Sequence, residues 1–445
     1  MMRKQLTVLS SAFICCALFA QETRQWSLGD CIEYALEQNI SIKQQEINVE
    51  SREVNLQTSQ LSRLPSLSAN VGENYNFGRT QNRMGVTEDH GAATTSVSAN
   101  AYIPVFEGFR INNQIKSDKL SLEAASQDLE QARQDISLAI TSYFLQVLYA
   151  KENEMLARQQ LEISKDLVDK TQKMVDGGKV SLSELYDAQS ALAQSESRLV
   201  DAVNDVKTAL LDLAQGMNYP AYRNMAVVMP DVEAMMDHEL LMLTPVDSIY
   251  CDYLDRRPSV IAAQKRVDQA MADIKVAQSA YWPTINIGAS YGSGYYSDQK
   301  IAGGGGTFWE QLGQNGSAGV GASLNIPIFN KMGTRNSVKL AKNLARNQQL
   351  ALDQEKLEVF KEVQQAYVNA DAAYGKYLAA EKSVIAAENA FNFEQRKYDT
   401  GRSTAYMFNE VRQKLESAKS QMSQAKYNFL LRAKILDFYK GEPLY

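Results

Sequence analysis

The chain is one pattern written twice. Shifted by 218 positions, Leu36 falls on Leu254, Ser41 on Ser259, Val49 on Val267 and Pro65 on Pro283. Shifted by 223, Ile103-Pro104-Val105-Phe106 falls on Ile326-Pro327-Ile328-Phe329, Lys116 on Lys339 and Gly178 on Gly401. The same shift carries Leu192 onto Leu415, Ser197 onto Ser420 and Ala202 onto Ala425. The small change in offset assigns the difference to the outer loops. A duplication constrains the fold more than any other feature here, because both copies must follow one supersecondary plan. The copies are expected at 21–217 and 247–440, with a linker at 218–246 and a short end at 441–445.

Within each copy the hydrophobic period changes twice. Residues 28–60 and 247–281 place apolar residues every three or four positions, the helical signal. Leu64-Pro65 and Trp282-Pro283 end those helices, since a residue before proline avoids helical backbone. Strict alternation follows. Leu67, Ala69, Val71, Tyr75 and Phe77 alternate with Ser66, Ser68, Asn70, Gly72, Asn74 and Asn76. Val97 to Val105 alternate in the same way, as do Ile285 to Tyr291 and Val320 to Ile328. Strands are therefore expected at about 66–77, 95–106, 284–297 and 318–329. Their polar face is small and uncharged, with Glu73 the one awkward residue in the strands, and their length suits a tilted outer-membrane strand of about 9–11 residues. Aromatic residues at the strand ends, Phe106, Tyr281, Trp282, Tyr295, Tyr296 and Phe329 among them, resemble interfacial girdles. The loops at 78–93 and 298–317 are polar and glycine-containing, and flexible outer loops are expected there.

After each hairpin a long helical pattern runs without proline, about 108–176 and 331–399. A turn at Gly178 or Gly401 then returns the chain along 182–216 or 404–439. At 1.5 Å per residue each long helix is about 100 Å, matched by the incoming and returning helices stacked end to end. Residues 217–247 interrupt the helices with Pro220, Pro230, Pro245 and the methionines 229, 235, 236 and 242, read as packing filler rather than metal ligands.

Composition narrows the function. With 45% hydrophobic residues the chain is too apolar for general disorder. A formal charge of −6 supplies no clustered basic footprint for nucleic acid. Two histidines and four cysteines supply a metal or redox site poorly. Gly303 to Gly306 and Gly177-Gly178-Lys179 lack the Lys-Ser or Lys-Thr of a phosphate loop. Arg3 and Lys4 precede a largely apolar Leu6 to Ala20, the layout of a secretory signal peptide with cleavage expected after Ala20. Cys15 and Cys16 raise a lipid-anchored end as the alternative, although Ile14 before Cys15 suits lipoprotein processing badly. No later stretch approaches eighteen continuous apolar residues, so any membrane span is built from strands. Four strands cannot close a barrel, and lipid does not tolerate open edges. Several chains must then share one barrel, and three copies bring twelve strands.

On these residues the sequence resembles the TolC-like outer-membrane efflux proteins. The repeat, the Ile-Pro-Val-Phe and Ile-Pro-Ile-Phe strand ends and the paired glycine turns carry the resemblance over the whole mature chain. It implies a mainly α fold with a β-barrel portion: a homotrimer with a twelve-stranded barrel in the outer membrane of a Gram-negative bacterium and an α-helical tunnel through the periplasm. It implies a passive exit duct of a tripartite efflux or type I secretion system, with no catalytic residues and no cofactor. The partners it implies are a periplasmic adaptor and an inner-membrane pump of the RND, ABC or MFS type. Adaptor docking falls on Gly178, Lys179 and Val180, and on Gly401, Arg402 and Ser403. The closed end of the tunnel falls on Tyr398 and the pair Ser183-Glu184, with Met407 and Glu410 at the two ring positions and Ser403 at the arginine position. The competing reading is a periplasmic or surface coiled-coil scaffold without a pore, which leaves the four alternating strands unexplained.

Overall fold

The computed structural model describes residues 24–81, 86–89, 91–230, 253–297 and 306–441. The expected signal peptide, Cys251 and the methionines 235, 236 and 242 lie outside the described residues. The elements run β1 (Arg24–Trp26), α1 (Leu28–Gln38), α2 (Ile40–Leu61), β2 (Ser66–Asn76), β3 (Arg79–Gln81), β4 (Thr87–Asp89), β5 (Ala92–Glu107) and α3 (Arg110–Asp176). Then come α4 (Leu182–Gly216), β6 (Met225–Val227), α5 (Pro258–Ser279), β7 (Thr284–Tyr296), α6 (Phe308–Gln314), β8 (Ser317–Asn325), α7 (Gly333–Asp399) and α8 (Ala405–Lys440). No described helix is long and apolar enough to cross a membrane. The chain forms two compact units, and α3 and α7 contribute residues to both.

The described residues of the first unit, which spans 1–46, 128–260 and 355–445, are mainly helical around a main apolar core. Trp26, Ile32, Ile140, Val147, Leu148, Leu213, Met217 and Leu430 are fully buried in it. A short parallel ribbon of β1 and β6 lies against that core. Trp26, Tyr34 and Tyr219 meet edge to face at 5.2–5.5 Å. Lys151 Nζ donates to the Val227 carbonyl at 2.8 Å and anchors the ribbon. The uninterrupted helix expected over 28–60 is broken at Asn39, whose ψ of 128° is extended. Its side chain explains the break. Asn39 Oδ1 accepts the Ser41 N–H at 2.8 Å, while Nδ2 donates to the Gly216 carbonyl at 3.1 Å. Asparagine thus offers the backbone an alternative to the helical ladder. Met229 is 49% exposed in the single chain.

The second unit, residues 47–127 and 261–354, carries an antiparallel sheet ordered β2-β5-β7-β8. Register sorts its faces. Leu67 pairs Ala101, Ala101 pairs Ala289 and Ala289 pairs Val320, so one face collects the apolar residues. Ser68, Asn100, Ser290 and Gly319 form the small polar face. Glu73 sits on the apolar face, opposite Thr95, whose hydroxyl donates to its carboxylate. A bulge between Pro104 and Phe106 lets proline stay in β5, since a residue without an N–H fits a sheet interior only at a bulge. The fourth strand stops at Asn325 rather than 329. Asn325 already pairs with Thr284, the first residue of β7, so Ile326 and beyond have no partner there. The outer loops are more structured than expected: β3 and β4 pair as a ribbon, and α6 occupies the second loop.

Each strand-to-helix corner holds two consecutive left-handed residues. They are Gly108 (φ +59) and Phe109 (φ +66), and, 223 positions on, Lys331 (φ +54) and Met332 (φ +65). A Cβ on Gly108 would lie 2.5 Å from the Ser279 carbonyl oxygen and 2.7 Å from Trp282 Cβ, so only glycine fits that close approach. Phe109 meets Phe106 and Trp282 edge to face beside it.

Candidate gate and docking turns

The two helical returns close in the same way. The Gly178 N–H bonds the Val175 carbonyl at 2.9 Å and the Lys179 N–H reaches Met174 at 2.8 Å. The Gly401 N–H bonds Tyr398 at 3.0 Å and the Arg402 N–H reaches Lys397 at 2.8 Å. Both glycines are left-handed, φ +66 and +72, as this paired closure requires. A Cβ on either would meet nothing within 4 Å. Glycine serves backbone conformation at both turns, and the space around it is open.

Exposed side chains ring the turns. Lys179, Leu182, Ser183 and Tyr186 stand at the first, and Arg402, Tyr406 and Met407 at the second. Val180 and Ser403 are half-buried. Ser403 is turned onto its own chain, donating its hydroxyl to the Glu394 carboxylate, which also pairs with Lys397 at 3.2 Å. The Ser403 hydroxyl foremost, and Lys397 after it, hold that carboxyl below its ordinary range against the effect of burial. Leu182, Tyr186 and Tyr406 were missed by sequence reasoning. Helical spacing around a glycine stop, with large apolar residues off the buried stripe, is the signal that finds them.

Tyr398 is 3% exposed and packs in a small cluster with Leu167, Ala188, Ala405 and Phe408. Its ring stacks on Phe408 at 4.9 Å. Its hydroxyl meets Thr171 Oγ1 at 3.1 Å. Thr171 spends its own proton on the Leu167 carbonyl at 2.8 Å, so Tyr398 is the donor in their bond. Within the chain the tyrosine therefore bonds Thr171 on α3. Glu184 is half-buried on the first turn of α4. Glu410, also half-buried, does not stand alone, because Lys414 one turn later pairs with it at 2.7 Å. Spacing of four on a helix makes that partner legible in the sequence.

A buried ionic knot lies further along the same helices. Arg412, 3% exposed, donates from Nη1 to Ser164 Oγ at 3.1 Å and approaches Glu416 at 3.3 Å. Arg198 Nη1 donates to the other Glu416 oxygen at 2.8 Å, and Ser164 meets Ser195 at 2.8 Å. Burial pushes the Arg412 guanidinium down and the Glu416 carboxyl up, each opposed by the other's charge. A cleft of about 800 Å³ runs beside this knot. The knot ties α3, α4 and α8 together, where breaking one partner of a buried pair costs far more than the pair contributes. Among the described residues no group of three or more metal-ligating side chains occurs.

A sheet segregated into apolar and small polar faces, in a chain that also makes two long helical returns, fits the class of outer-membrane channel subunits. Comparison with known proteins gives the family. The outer membrane efflux protein family profile matches residues 31–218 and 249–442, once for each copy of the repeat. The chain belongs to that family, one of channels rather than enzymes, and its place is the outer membrane of a Gram-negative bacterium. It is 26% identical to outer membrane protein TolC of Escherichia coli (strain K12) over 300 residues, 65% of this chain and 58% of that protein. The Campylobacter jejuni CmeC outer membrane channel shares the fold with a TM-score of 0.75 at 18% identity, covering 96% of this chain and 90% of that one. VceC from Vibrio cholerae does so with a TM-score of 0.72 at 15% identity, covering 94% and 97%.

Proposed function

We propose that three copies of this chain close one twelve-stranded barrel over a shared helical tunnel. The assembly is a passive exit duct of a tripartite efflux or type I secretion system. The observation that carries this reading is the pair of free sheet edges. Among the described residues, strands β2 and β8 each have a neighbour on one side only, and all of their residues are exposed. With four strands alternating in direction, β8 of one copy meets β2 of the next antiparallel, so the ladder continues without interruption. Unpaired backbone is not tolerated in hydrocarbon, and cyclic closure removes both edges. A pore-free scaffold gives the apolar sheet face no role.

In the helical unit, Gly178, Lys179 and Val180 and Gly401 and Arg402 form the adaptor-facing turns, with Leu182, Tyr186 and Tyr406 as apolar contacts. Tyr398, Ser183, Glu184 and Glu410 form the closed end of the tunnel. An inner-membrane pump supplies the energy, and outer-membrane lipid surrounds the barrel. Native mass spectrometry in mild detergent should give three chains per particle, and the particle should conduct ions in planar bilayers. A stable monomer that conducts would end this reading.

A further inference from the structure

The short helix in the second outer loop, α6, sits where the sheet is incomplete. Strand β7 runs to Tyr296, but β8 begins at Ser317 opposite Gly292. Among the described residues, the β8-side edge of 293–296 is therefore left without a strand. Side chains fill it. Gln311 accepts the Tyr296 N–H at 3.0 Å and donates to the Tyr296 carbonyl at 3.3 Å, copying the two bonds of a ladder partner. Asn315 Nδ2 donates to the Gly294 carbonyl at 2.7 Å. In water these groups need no such cover. In a membrane they do, because each unsatisfied backbone group there costs several kcal/mol.

The face on which α6 lies points the same way. Ser293 Oγ donates to the Leu312 carbonyl at 2.6 Å, and the Tyr295 ring packs on Phe308 at 5.2 Å. Both β7 residues belong to the face of Leu67, Ala99 and Tyr291, by their pairing with Val97 and Thr95. Height agrees too. Ten steps from Ile285 to Tyr295, at about 3.3 Å each and tilted by about 40°, rise about 25 Å, the height of an outer-membrane apolar band. Ile285 pairs with Phe106, next to the ring cluster of Phe109 and Trp282, so the inner girdle lies at one end of this span. Tyr295, Phe308 and Trp309 lie at the other. Phe308 and Trp309 meet edge to face at 5.2 Å, and Trp309 is 78% exposed. Glu310, the one charged residue of α6, is occupied within the helix, accepting the Thr307 N–H at 2.7 Å in a capping box.

We infer that α6 is an interfacial lipid anchor, which seals the outer end of β7 and seats Trp309 among the headgroups of the outer leaflet. Tryptophan favours that layer because its ring is apolar and its N–H is polar. The inference rests on the outer-membrane barrel reading.

The test uses the trimer reconstituted into vesicles whose phospholipids carry bromine either near the headgroup end of the chain or deep in it. The chain has three tryptophans, and Trp26 is fully buried in the helical unit. Subtracting the emission of Trp309→Phe from that of the unmodified chain isolates Trp309, and Trp282→Phe isolates the inner girdle likewise. Trp309→Tyr takes its place if Trp309→Phe fails to assemble. The inference expects shallow bromine to remove most of the Trp309 emission and deep bromine much less. Quenching by aqueous iodide without quenching by lipid bromine overturns it, leaving a loop that stands in solvent. Quenching by neither also overturns it, in favour of a seal against the neighbouring chain. Trp282 separates the two readings. If lipid bromine quenches Trp282 but not Trp309, the anchor alone fails; if it quenches neither, the barrel reading falls with it.

Discussion

Removing one hydroxyl from Tyr398 should loosen the closed end by a calculable amount. Tyr398→Phe keeps the ring stacked on Phe408 and deletes only the bond to Thr171. Thr171 keeps its own bond to the Leu167 carbonyl, so no buried donor is orphaned. A neutral hydrogen bond in this position contributes about 1 kcal/mol. If opening separates Tyr398 from Thr171 in all three chains, the closed state loses about 3 kcal/mol, and its ratio to the open state falls roughly 10²-fold. Planar-bilayer recordings of the isolated trimer should show a matching rise in open probability. Thr171→Val should open the closed end at least as far, because it also strands the buried Tyr398 hydroxyl, and the double variant should fall well short of the sum of the two, because both changes delete the same bond. Strict additivity of the two, or unchanged gating by Tyr398→Phe, would refute the assignment of this bond to the closed state.

Three further outcomes are expected. Gly178→Asp and Gly401→Asp should abolish export while trimer yield stays normal, since each costs only about 1 kcal/mol of left-handed strain at an open position yet places a charge in the docking surface; export by both variants would remove the docking assignment. Glu410→Gln should reduce the cation preference of the pore and its block by multivalent cations, Lys414→Gln should raise both, and both effects should shrink at 1 M salt, where screening acts over about 3 Å; ion selectivity unmoved by either change makes the pair an ordinary surface ion pair. Lys331→Gly should stabilise the trimer by about 1 kcal/mol per chain, because Lys331 holds at φ +54 the place that glycine holds in the first copy; thermal denaturation in detergent reads the gain, and a loss of stability shows that the Lys331 side chain matters more than its backbone.

The architecture was legible because period and punctuation agree: alternation gave the four strands, and Pro65, Pro283, Gly178 and Gly401 mark stops set by backbone sterics. The returning helix expected over 182–216 matches α4 residue for residue. What escaped was decided by side chains acting at a distance. Asn39 breaks a helix by bonding Gly216, and Tyr398 finds Thr171 across 227 positions. Nothing local in the sequence encodes either contact. The helix α6 was hidden differently. Its capping box of Thr307 and Glu310 is plain in the sequence, but a glycine-containing stretch between strands reads as loop. The knot of Arg412, Glu416 and Arg198 was half visible, since Arg412 and Glu416 are four apart on one helix, whereas Arg198 joins them from another.

The two bare edges of the sheet also bear on how such a channel is made. If three chains close the barrel as proposed, a lone chain brings only the four strands of its described sheet, and it has no membrane-competent state to occupy while it waits for partners. Its apolar face is likewise unfit for long residence in the aqueous periplasm, where exposed strand edges nucleate aggregation. On the proposed three-chain barrel, insertion and association then become a single event, third order in chains. The yield of functional channels should climb more steeply than linearly with synthesis and collapse sharply below a threshold. Anything that shelters the single chain in transit then governs how many exits the cell possesses.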